Sequence, residues 1–102
     1  MITFEWDEEK NSANVRRHGI YFEDAVHIFD DPIRIERRDT DENEYEERWQ
    51  TMGMADKVLF VVYTERGDRT RIISARVAEP FERRIYHANS DTYPHGWQRV
   101  NP

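Results

Sequence analysis

The sequence predicts an α+β fold in which helices pack on a small antiparallel β-sheet. Residues 57–66 and 69–77 are rich in β-branched and aromatic side chains, and Gly67-Asp68 between them is typical of a tight turn, so the three segments predict a β-hairpin. Apolar residues at helical spacing on either side of these strands predict helices before and after the sheet. At 102 residues the chain is long enough for one such sheet but too short for two cores.

The first elements are a strand and a helix. Residues 2–6 alternate loosely between apolar and polar side chains, which favours an edge strand. Asp7 is a good N-cap because its carboxylate can accept hydrogen bonds from free backbone N–H groups, and residues 8–18 follow as a helix. Gly19 lies where a glycine commonly ends a helix.

A second helix is indicated by one apolar face. Phe22, Ala25, Val26 and Phe29 are spaced at i, i+3, i+4 and i+7. The sequence Asp-Asp-Pro at residues 30–32 ends this helix, because the residue before a proline is pushed out of the helical region.

Four strands are predicted to form an antiparallel meander. They are assigned to residues 33–39, 48–54, 57–66 and 69–77, with a polar connection at residues 40–46. The third strand is apolar at both parities, which is typical of a central strand covered on both faces.

The turn between the last two strands predicts their pairing. A two-residue loop places Leu59 opposite Arg76 and Tyr63 opposite Ile72. In this register Arg71 and Arg76 have opposite parity, so they point to opposite faces of the sheet unless a bulge intervenes.

Residues 79–89 predict a C-terminal helix. Pro80 suits its first turn, and Phe81, Ile85 and Ala88 form an apolar stripe that is predicted to dock on the sheet.

The domain is predicted to span residues 1–90, followed by a C-terminal tail at residues 91–102. The tail contains two prolines, a glycine and no periodic pattern. It is either a loose end or a segment that packs through Tyr93 and Trp97.

Composition excludes several classes of protein. The 5 Phe, 5 Tyr and 3 Trp argue against disorder, and the absence of cysteine excludes disulfides and thiolate metal sites. No apolar run approaches the roughly 18 residues of a membrane-spanning helix, and no charged-then-apolar leader is present. A soluble, cytoplasmic protein without membrane contact is expected.

The net charge of −6 conceals an asymmetry. Residues 1–56 carry 7 Lys+Arg against 16 Asp+Glu, whereas residues 57–102 carry 8 against 5. This change of sign indicates that a basic side meets an anion while the acidic side faces solvent or a basic partner. Chance clustering on an ordinary solvated surface is the alternative.

The stretch at residues 71–87 concentrates arginines at four positions: Arg71, Arg76, Arg83 and Arg84. Guanidinium groups offer planar, bidentate donors that fit phosphate oxygens, so the stretch is a candidate RNA or nucleotide site. Alternatively, these arginines pair with Glu65, Glu79 and Glu82 and only solvate a surface.

A second constellation lies on the first helix. Lys10, Asn14 and His18 are four residues apart and share one face. A histidine beside a lysine can act as general acid or base on a phosphate ester. The alternative is that His18 favours the negative end of the helix dipole.

No metal site is predicted. The acidic segment at residues 39–47 lacks the glycine and glutamate of a calcium loop, because Glu44 and Gln50 stand at those positions. The four histidines show no zinc spacing.

Three segments make the chain resemble the BrnT family of bacterial type II toxins. They are FEWDEEKNSANVRRHGIYFEDAVHIFDDP at 4–32, EERWQTMGM at 46–54, and VLFVVYTERGDRTRIISARVAEPFERRIYHA at 58–88. The resemblance implies a RelE-like fold, with a four-stranded meander and an N-terminal edge strand, two N-terminal helices and one C-terminal helix. It also implies endoribonuclease activity that cleaves RNA and inhibits translation without metal or cofactor.

The resemblance points to particular site residues. The candidate catalytic residues are Arg48, Arg66, Arg76, Arg83, His18 and Glu47, and the candidate RNA-binding residues are Lys10, Arg71, Arg84 and Tyr86. The catalytic arginines would stabilise phosphorane charge, and His18 or Glu47 would be the base, although such sites also act by distorting RNA. Two residues depart from the family pattern: Tyr21 replaces a small N-cap residue, and His87 an acidic one.

The implied partner is a cognate BrnA-type antitoxin with a ribbon-helix-helix DNA-binding part, in a 2:2 heterotetramer. DNA binding would then occur only through the antitoxin, and RNA would be the toxin's own substrate. Two alternatives remain open, namely a non-catalytic module that binds an antitoxin or nucleic acid, and a degenerate toxin that has lost its activity.

Overall fold

A computed structural model describes residues 2–40 and 46–101, so residues 41–45 of the predicted polar connection lie outside the described part. In chain order the elements are β1 (Thr3–Glu5), α1 (Glu8–His18), α2 (Phe22–Ala25), a 3-10 helix (Val26–Asp30), β2 (Ile35–Arg38), β3 (Arg48–Ala55), β4 (Lys57–Arg66), β5 (Arg69–Val77), α3 (Pro80–Ala88) and β6 (Gln98–Arg99). This order confirms the α+β class. Among the described residues, no helix has the length and apolar character needed to span a bilayer.

The sheet has six strands in the order β1-β5-β4-β3-β2-β6. The predicted antiparallel meander forms strands β2 to β5, and β1 lies at one edge, parallel to β5. The C-terminal tail packs against the fold and is not a loose end, because β6 pairs with β2 and Trp97 is buried. The tail therefore extends the same sheet. The first meander strand is shorter than the predicted segment 33–39.

The ends of α1 are those that the sequence predicts. The Asp7 carboxylate accepts hydrogen bonds from the backbone N–H groups of Glu9 at 2.8 Å and Lys10 at 3.2 Å. Gly19 has a φ of 73° and donates its N–H to Val15 O at 2.8 Å. Only glycine adopts this left-handed conformation without cost, so the helix ends there.

The second helix differs from the prediction in its second half. It is α-helical only to Ala25 and continues as the 3-10 helix. Tyr21 at its N-cap makes no side-chain cap bond, as expected for a residue without a short polar side chain. Asn11 of α1 substitutes for it, since Asn11 Oδ1 accepts the N–H of Phe22 at 2.9 Å.

Two hydrophobic cores lie on opposite faces of the sheet. The first is formed under the N-terminal helices by Phe22, Ala25, Ile28, Leu59, Val61, Tyr63, Ile72 and Ala75. Gly53 permits the close approach of the 3-10 helix, because a Cβ at this position would lie 2.8 Å from Ile28 Cβ. The second core, under α3 and the tail, contains Ile35, Met52, Val58, Phe60, Ala78, Tyr86 and Trp97.

The predicted docking stripe of α3 is wrong for Phe81 and Ala88, whereas Ile85 packs against the second core as predicted. Phe81 is 51% exposed and Ala88 is exposed, whereas Glu82 and Tyr86 are 5% and 2% exposed. The helix is rotated because Glu82 accepts hydrogen bonds from within the fold and Tyr86 fills the second core. Periodicity of apolar residues alone could not predict that a glutamate is on the buried side.

Candidate nucleic-acid interface

A β-bulge in β5 alters the predicted register of the hairpin. Tyr63 pairs with Ile72, as predicted, but Val62 pairs with Ser74. Ile73 therefore has no partner on β4, and the residues beyond it are displaced by one position.

The bulge brings two arginines to the same face of the sheet. The predicted pairing of Leu59 with Arg76 is wrong by one residue, because Arg76 lies opposite Phe60. Arg71 lies opposite Thr64. Phe60 and Thr64 have the same parity on β4, so Arg71 and Arg76 share a face, contrary to the register that assumed no bulge.

Three further strands add arginines to that face. Arg37 of β2 pairs with Gln50, which pairs with Val62, and Arg48 of β3 pairs with Thr64. Arg66 follows Thr64 by two positions on β4 and therefore has the same orientation. We call the part of the sheet formed by Arg37, Arg48, Arg66, Arg71 and Arg76 the arginine face.

Glu46 is the carboxylate that contacts Arg66 and is influenced by the charges of Arg48 and Arg71. Arg66 donates a hydrogen bond from Nη2 to Glu46 Oε1. This bond, assisted by the charges of Arg48 and Arg71, outweighs burial and holds the pKa of Glu46 below its ordinary value. Arg71 also forms an ion pair with Glu5, with 2.6 Å between Nη1 and Oε2. The carboxylate of Glu46 is therefore ionised at neutral pH and lies in a strongly positive field.

Arg76 is held rigidly by a bidentate ion pair. Its Nη1 and Nη2 donate to Glu82 Oε1 at 2.8 Å and Oε2 at 3.0 Å, and its guanidinium carbon lies 4.2 Å from the centroid of the Phe60 ring. Burial alone would raise the pKa of Glu82, but the hydrogen bonds from Arg76 and the Glu79 N–H lower it. A guanidinium has five N–H donors, so Arg76 keeps donors for a phosphate.

Arg37 belongs to the same surface. Its guanidinium carbon lies 4.5 Å from the centroid of the Trp97 ring, and its Nε donates to Gln50 Oε1 at 2.7 Å. Trp97 in turn contacts Phe60 edge-to-face at 6.0 Å between ring centroids. The aromatic pair thus supports Arg37 at one end and Arg76 at the other, which fixes both guanidinium groups.

A family profile described as the ribonuclease toxin BrnT of type II toxin-antitoxin systems matches residues 6–82. The chain belongs to this family. Among solved structures, the crystal structure of the Brucella abortus ribonuclease toxin BrnT is 22% identical, with a TM-score of 0.59, and covers 78% of this chain and 99% of its own. At this identity the likeness shows the fold. A comparison with curated proteins finds no match.

The structure separates the residues to which the BrnT resemblance points. Arg48, Arg66, Arg71 and Arg76 lie together on the arginine face. Two others lie on α3: Arg83 is half-buried and donates to Ala78 O at 2.6 Å, whereas Arg84 is exposed. Two lie on α1 instead: Lys10 and His18 line a groove beside β5.

Glu47 is directed away from the arginine face. It is exposed and pairs with Arg38 at 3.0 Å. Arg38 lies opposite Trp49, whose ring packs against the first core on the other face of the sheet. Glu46, which bonds to Arg66, lies on the side of the arginines, whereas Glu47, which pairs with Arg38, does not. Both glutamates precede β3, so strand parity could not have selected Glu46 from the sequence.

Tyr86 is not available to stack on a base. It is 2% exposed, and its hydroxyl donates a hydrogen bond to Asp31 Oδ2. Burial, followed by this bond to a carboxylate, raises the pKa of Tyr86. Asp31 Oδ2 also accepts the N–H of Met54 at 2.7 Å, so Tyr86 ties α3 to the end of β3. In this structure Tyr86 therefore has a role in the fold.

Arg37 was not among the predicted site residues. Its position in the predicted strand was a usable signal, because Arg37 is two residues after Ile35. Residues two apart in a strand point to the same face, and Ile35 is buried. Among residues 2–40 and 46–101, no group of three His, Asp or Glu side chains is arranged to hold a metal ion.

Proposed function

We propose that this BrnT-family chain is an endoribonuclease that cleaves RNA at the arginine face without a metal ion and thereby inhibits translation. The observation that carries the proposal is the β5 bulge, which places Arg71 and Arg76 on the same face as Arg48 and Arg66. A row of guanidinium groups along one sheet face suits successive phosphates of a single strand.

Glu46 is proposed as the general base, in place of Glu47 and His18. It would accept the proton of a ribose 2′-hydroxyl while the 2′-oxygen bonds to phosphorus. The bond from phosphorus to the 5′-oxygen then breaks, leaving a 2′,3′-cyclic phosphate, and water protonates the departing 5′-oxygen. Glu46 is ionised and oriented by its hydrogen bond from Arg66, so it is in the form that accepts a proton, while its lowered pKa makes it a weak base and leaves most of the catalysis to the arginines.

The arginines would supply most of the rate enhancement. Arg48, Arg66 and Arg71 surround Glu46, so the pentacoordinate phosphorane formed beside it would lie in their combined field. Arg76 is fixed by Glu82 and Phe60 and would hold a neighbouring phosphate in a defined position.

The partner is proposed to be a BrnA-type antitoxin that binds the toxin in a 2:2 heterotetramer in the cytoplasm. The arginine face favours an acidic segment of that antitoxin, since such a segment would satisfy the same guanidinium groups as RNA. DNA binding would belong to the antitoxin.

The test is single-turnover cleavage of total RNA in EDTA by purified, antitoxin-free protein. We expect cleavage by the wild type, a kcat lower by roughly 10²–10⁴-fold for Glu46→Gln with little change in KM, and a comparable loss for Arg48→Gln. Lys57→Gln removes a positive charge from the exposed start of β4 and is the charge-matched control.

Three outcomes would contradict the proposal in different ways. If the folded wild type cleaves nothing, with or without ribosomes, the chain is a binding module or a degenerate toxin. Cleavage that requires Mg²⁺ would indicate a metal site. Full activity of Glu46→Gln would reject this residue as the base. The activity of Arg48→Gln would then decide whether RNA is cleaved at the arginine face.

A further inference from the structure

A groove on the other side of the β5 edge is lined by Lys10 and Arg17, which form no ion pair within the described residues, and by His18. It lies between α1 and β5 and has a volume of about 180 Å³. The lining residues are Lys10, Ala13, Asn14, Arg17 and His18 from α1 and Ile73 and Ser74 from β5. We call it the α1 groove.

Within the described part of the chain, no ion pair compensates the charge of the α1 groove. Lys10, Arg17 and His18 are exposed, no carboxylate lines the groove, and none of the three forms an ion pair with any residue of 2–40 or 46–101. By contrast, Arg71 and Arg76 each have a carboxylate partner. An anion in the α1 groove would therefore relieve repulsion between neighbouring cations instead of competing with an internal carboxylate.

The α1 groove is continuous with the arginine face at Ser74. Ser74 lines the groove and, through its pairing with Val62, belongs to the same side of the sheet as Arg71 and Arg76. In the described chain β1 pairs with β5 only as far as Arg71, so no strand lies between the two surfaces beyond that residue. A linear polyanion can thus pass over the β5 edge from one surface to the other.

We propose that the α1 groove binds the sugar-phosphate backbone of the RNA strand on one flank of the cleavage site. This assignment rests on the proposed ribonuclease function and adds Arg17 to its RNA contacts. A groove of about 180 Å³ is smaller than the roughly 300–1,000 Å³ of sites that enclose small organic ligands, which favours a passing strand over a free nucleotide. Lys10 and Arg17 contact phosphates, and His18 contacts the backbone and does not act as the base.

Arg16 and Arg17 provide a matched pair for the test. Both are exposed arginines in the last turn of α1, but only Arg17 lines the groove. The assay measures the Kd of non-cleavable 2′-O-methyl RNA of about five and about fifteen nucleotides, lengths within the range of single-strand sites. The variants are Arg17→Gln, Arg16→Gln and Lys10→Gln, each at several salt concentrations.

Arg17→Gln and Lys10→Gln are expected to weaken binding of the long RNA about three- to tenfold. Removal of one phosphate contact reduces the slope of log K against log salt by about 0.7. Arg16→Gln should change neither quantity, and Arg17→Gln and Arg16→Gln should bind the short RNA equally.

Equal effects of Arg16→Gln and Arg17→Gln on the long RNA would overturn the proposal, because a general charge effect would then suffice. Normal RNA binding with a reduced affinity for the antitoxin would also overturn it and assign the groove to the antitoxin. If Arg17→Gln weakens binding of the long RNA only, and the wild type cleaves no RNA, the α1 groove is still an RNA-binding site but the ribonuclease function is rejected.

Discussion

Replacing Asn14 with alanine tests whether the free edge of β5 positions the arginine face. Asn14 is 7% exposed, and its amide forms two bonds with Ala75, from Nδ2 to the carbonyl at 2.8 Å and from the backbone N–H to Oδ1 at 3.1 Å. Nδ2 also donates to Ile20 O at 2.8 Å. The side chain thus takes the place of a neighbouring strand just beyond the bulge at Ile73.

The expected loss of stability follows from these three bonds. At a net value of about 1 kcal/mol for each bond, Asn14→Ala lowers the free energy of unfolding by about 3 kcal/mol. Asn11→Ala is the control, because it removes two bonds, to Phe22 N at 2.9 Å and Glu23 Oε1 at 2.6 Å, and neither bond involves β5. Its expected cost is about 2 kcal/mol. Urea unfolding followed by tryptophan fluorescence measures both.

The two variants are expected to differ in activity far more than in stability. Without Asn14 the backbone of Ala75 loses its hydrogen-bonding partner, and we expect the bulge to relax. Ser74 and Arg76 would then no longer point to the same face of the sheet as Arg71. Single-turnover cleavage, measured where both variants are fully folded, should fall at least about tenfold in kcat for Asn14→Ala and stay near wild type for Asn11→Ala. Amide exchange at Ala75 should accelerate only in Asn14→Ala. Equal activity of the two variants would refute the positioning role.

Three further predictions concern pH, packing and the tail. Because the pKa of Glu46 is lowered, this base stays deprotonated as pH falls, so kcat should be nearly constant from about pH 8 to 5, and a marked loss of kcat within that range would contradict Glu46 as the base. Gly53→Ala should destabilise the fold by roughly 1–3 kcal/mol in urea unfolding, since the new Cβ would lie 2.8 Å from Ile28 Cβ. Trp97→Ala should cost about 3–5 kcal/mol by the same measurement, and a cost near zero would show that the tail is not part of the core.

Local chemistry was sufficient to predict the elements at the start of the chain. Asp7 and Gly19 act on backbone groups within a few residues of themselves, so the sequence contains the whole interaction. The α3 orientation depends instead on Glu82, which is buried because Arg76 lies beneath it. That pairing joins a strand to a helix, and no periodicity of apolar residues encodes it.

The bulge explains why the candidate site was only partly predictable. Ile73 is unpaired, so the alternation of side chains between the two sheet faces shifts by one residue there. Residues of β5 after Ile73 therefore face the opposite side from the one that a regular hairpin predicts. Beyond the bulge the edge of β5 is bonded to Asn14 of α1, which lies outside the hairpin. The hairpin sequence alone therefore gives the correct pairs near the turn and incorrect pairs beyond it.

Charge pairing resolves the two interpretations of the basic stretch. The alternative in which its arginines pair with glutamates is correct for Arg76 and Glu82, yet that pair lies on the surface proposed to bind RNA. Arg66 likewise forms an ion pair with Glu46, and Arg71 forms one with Glu5. An internal carboxylate orders a guanidinium before the phosphate arrives, so a smaller loss of side-chain entropy is needed on binding. Neutralisation within the fold and recognition of RNA are therefore compatible, and an acidic chain can carry an ordered site for a polyanion.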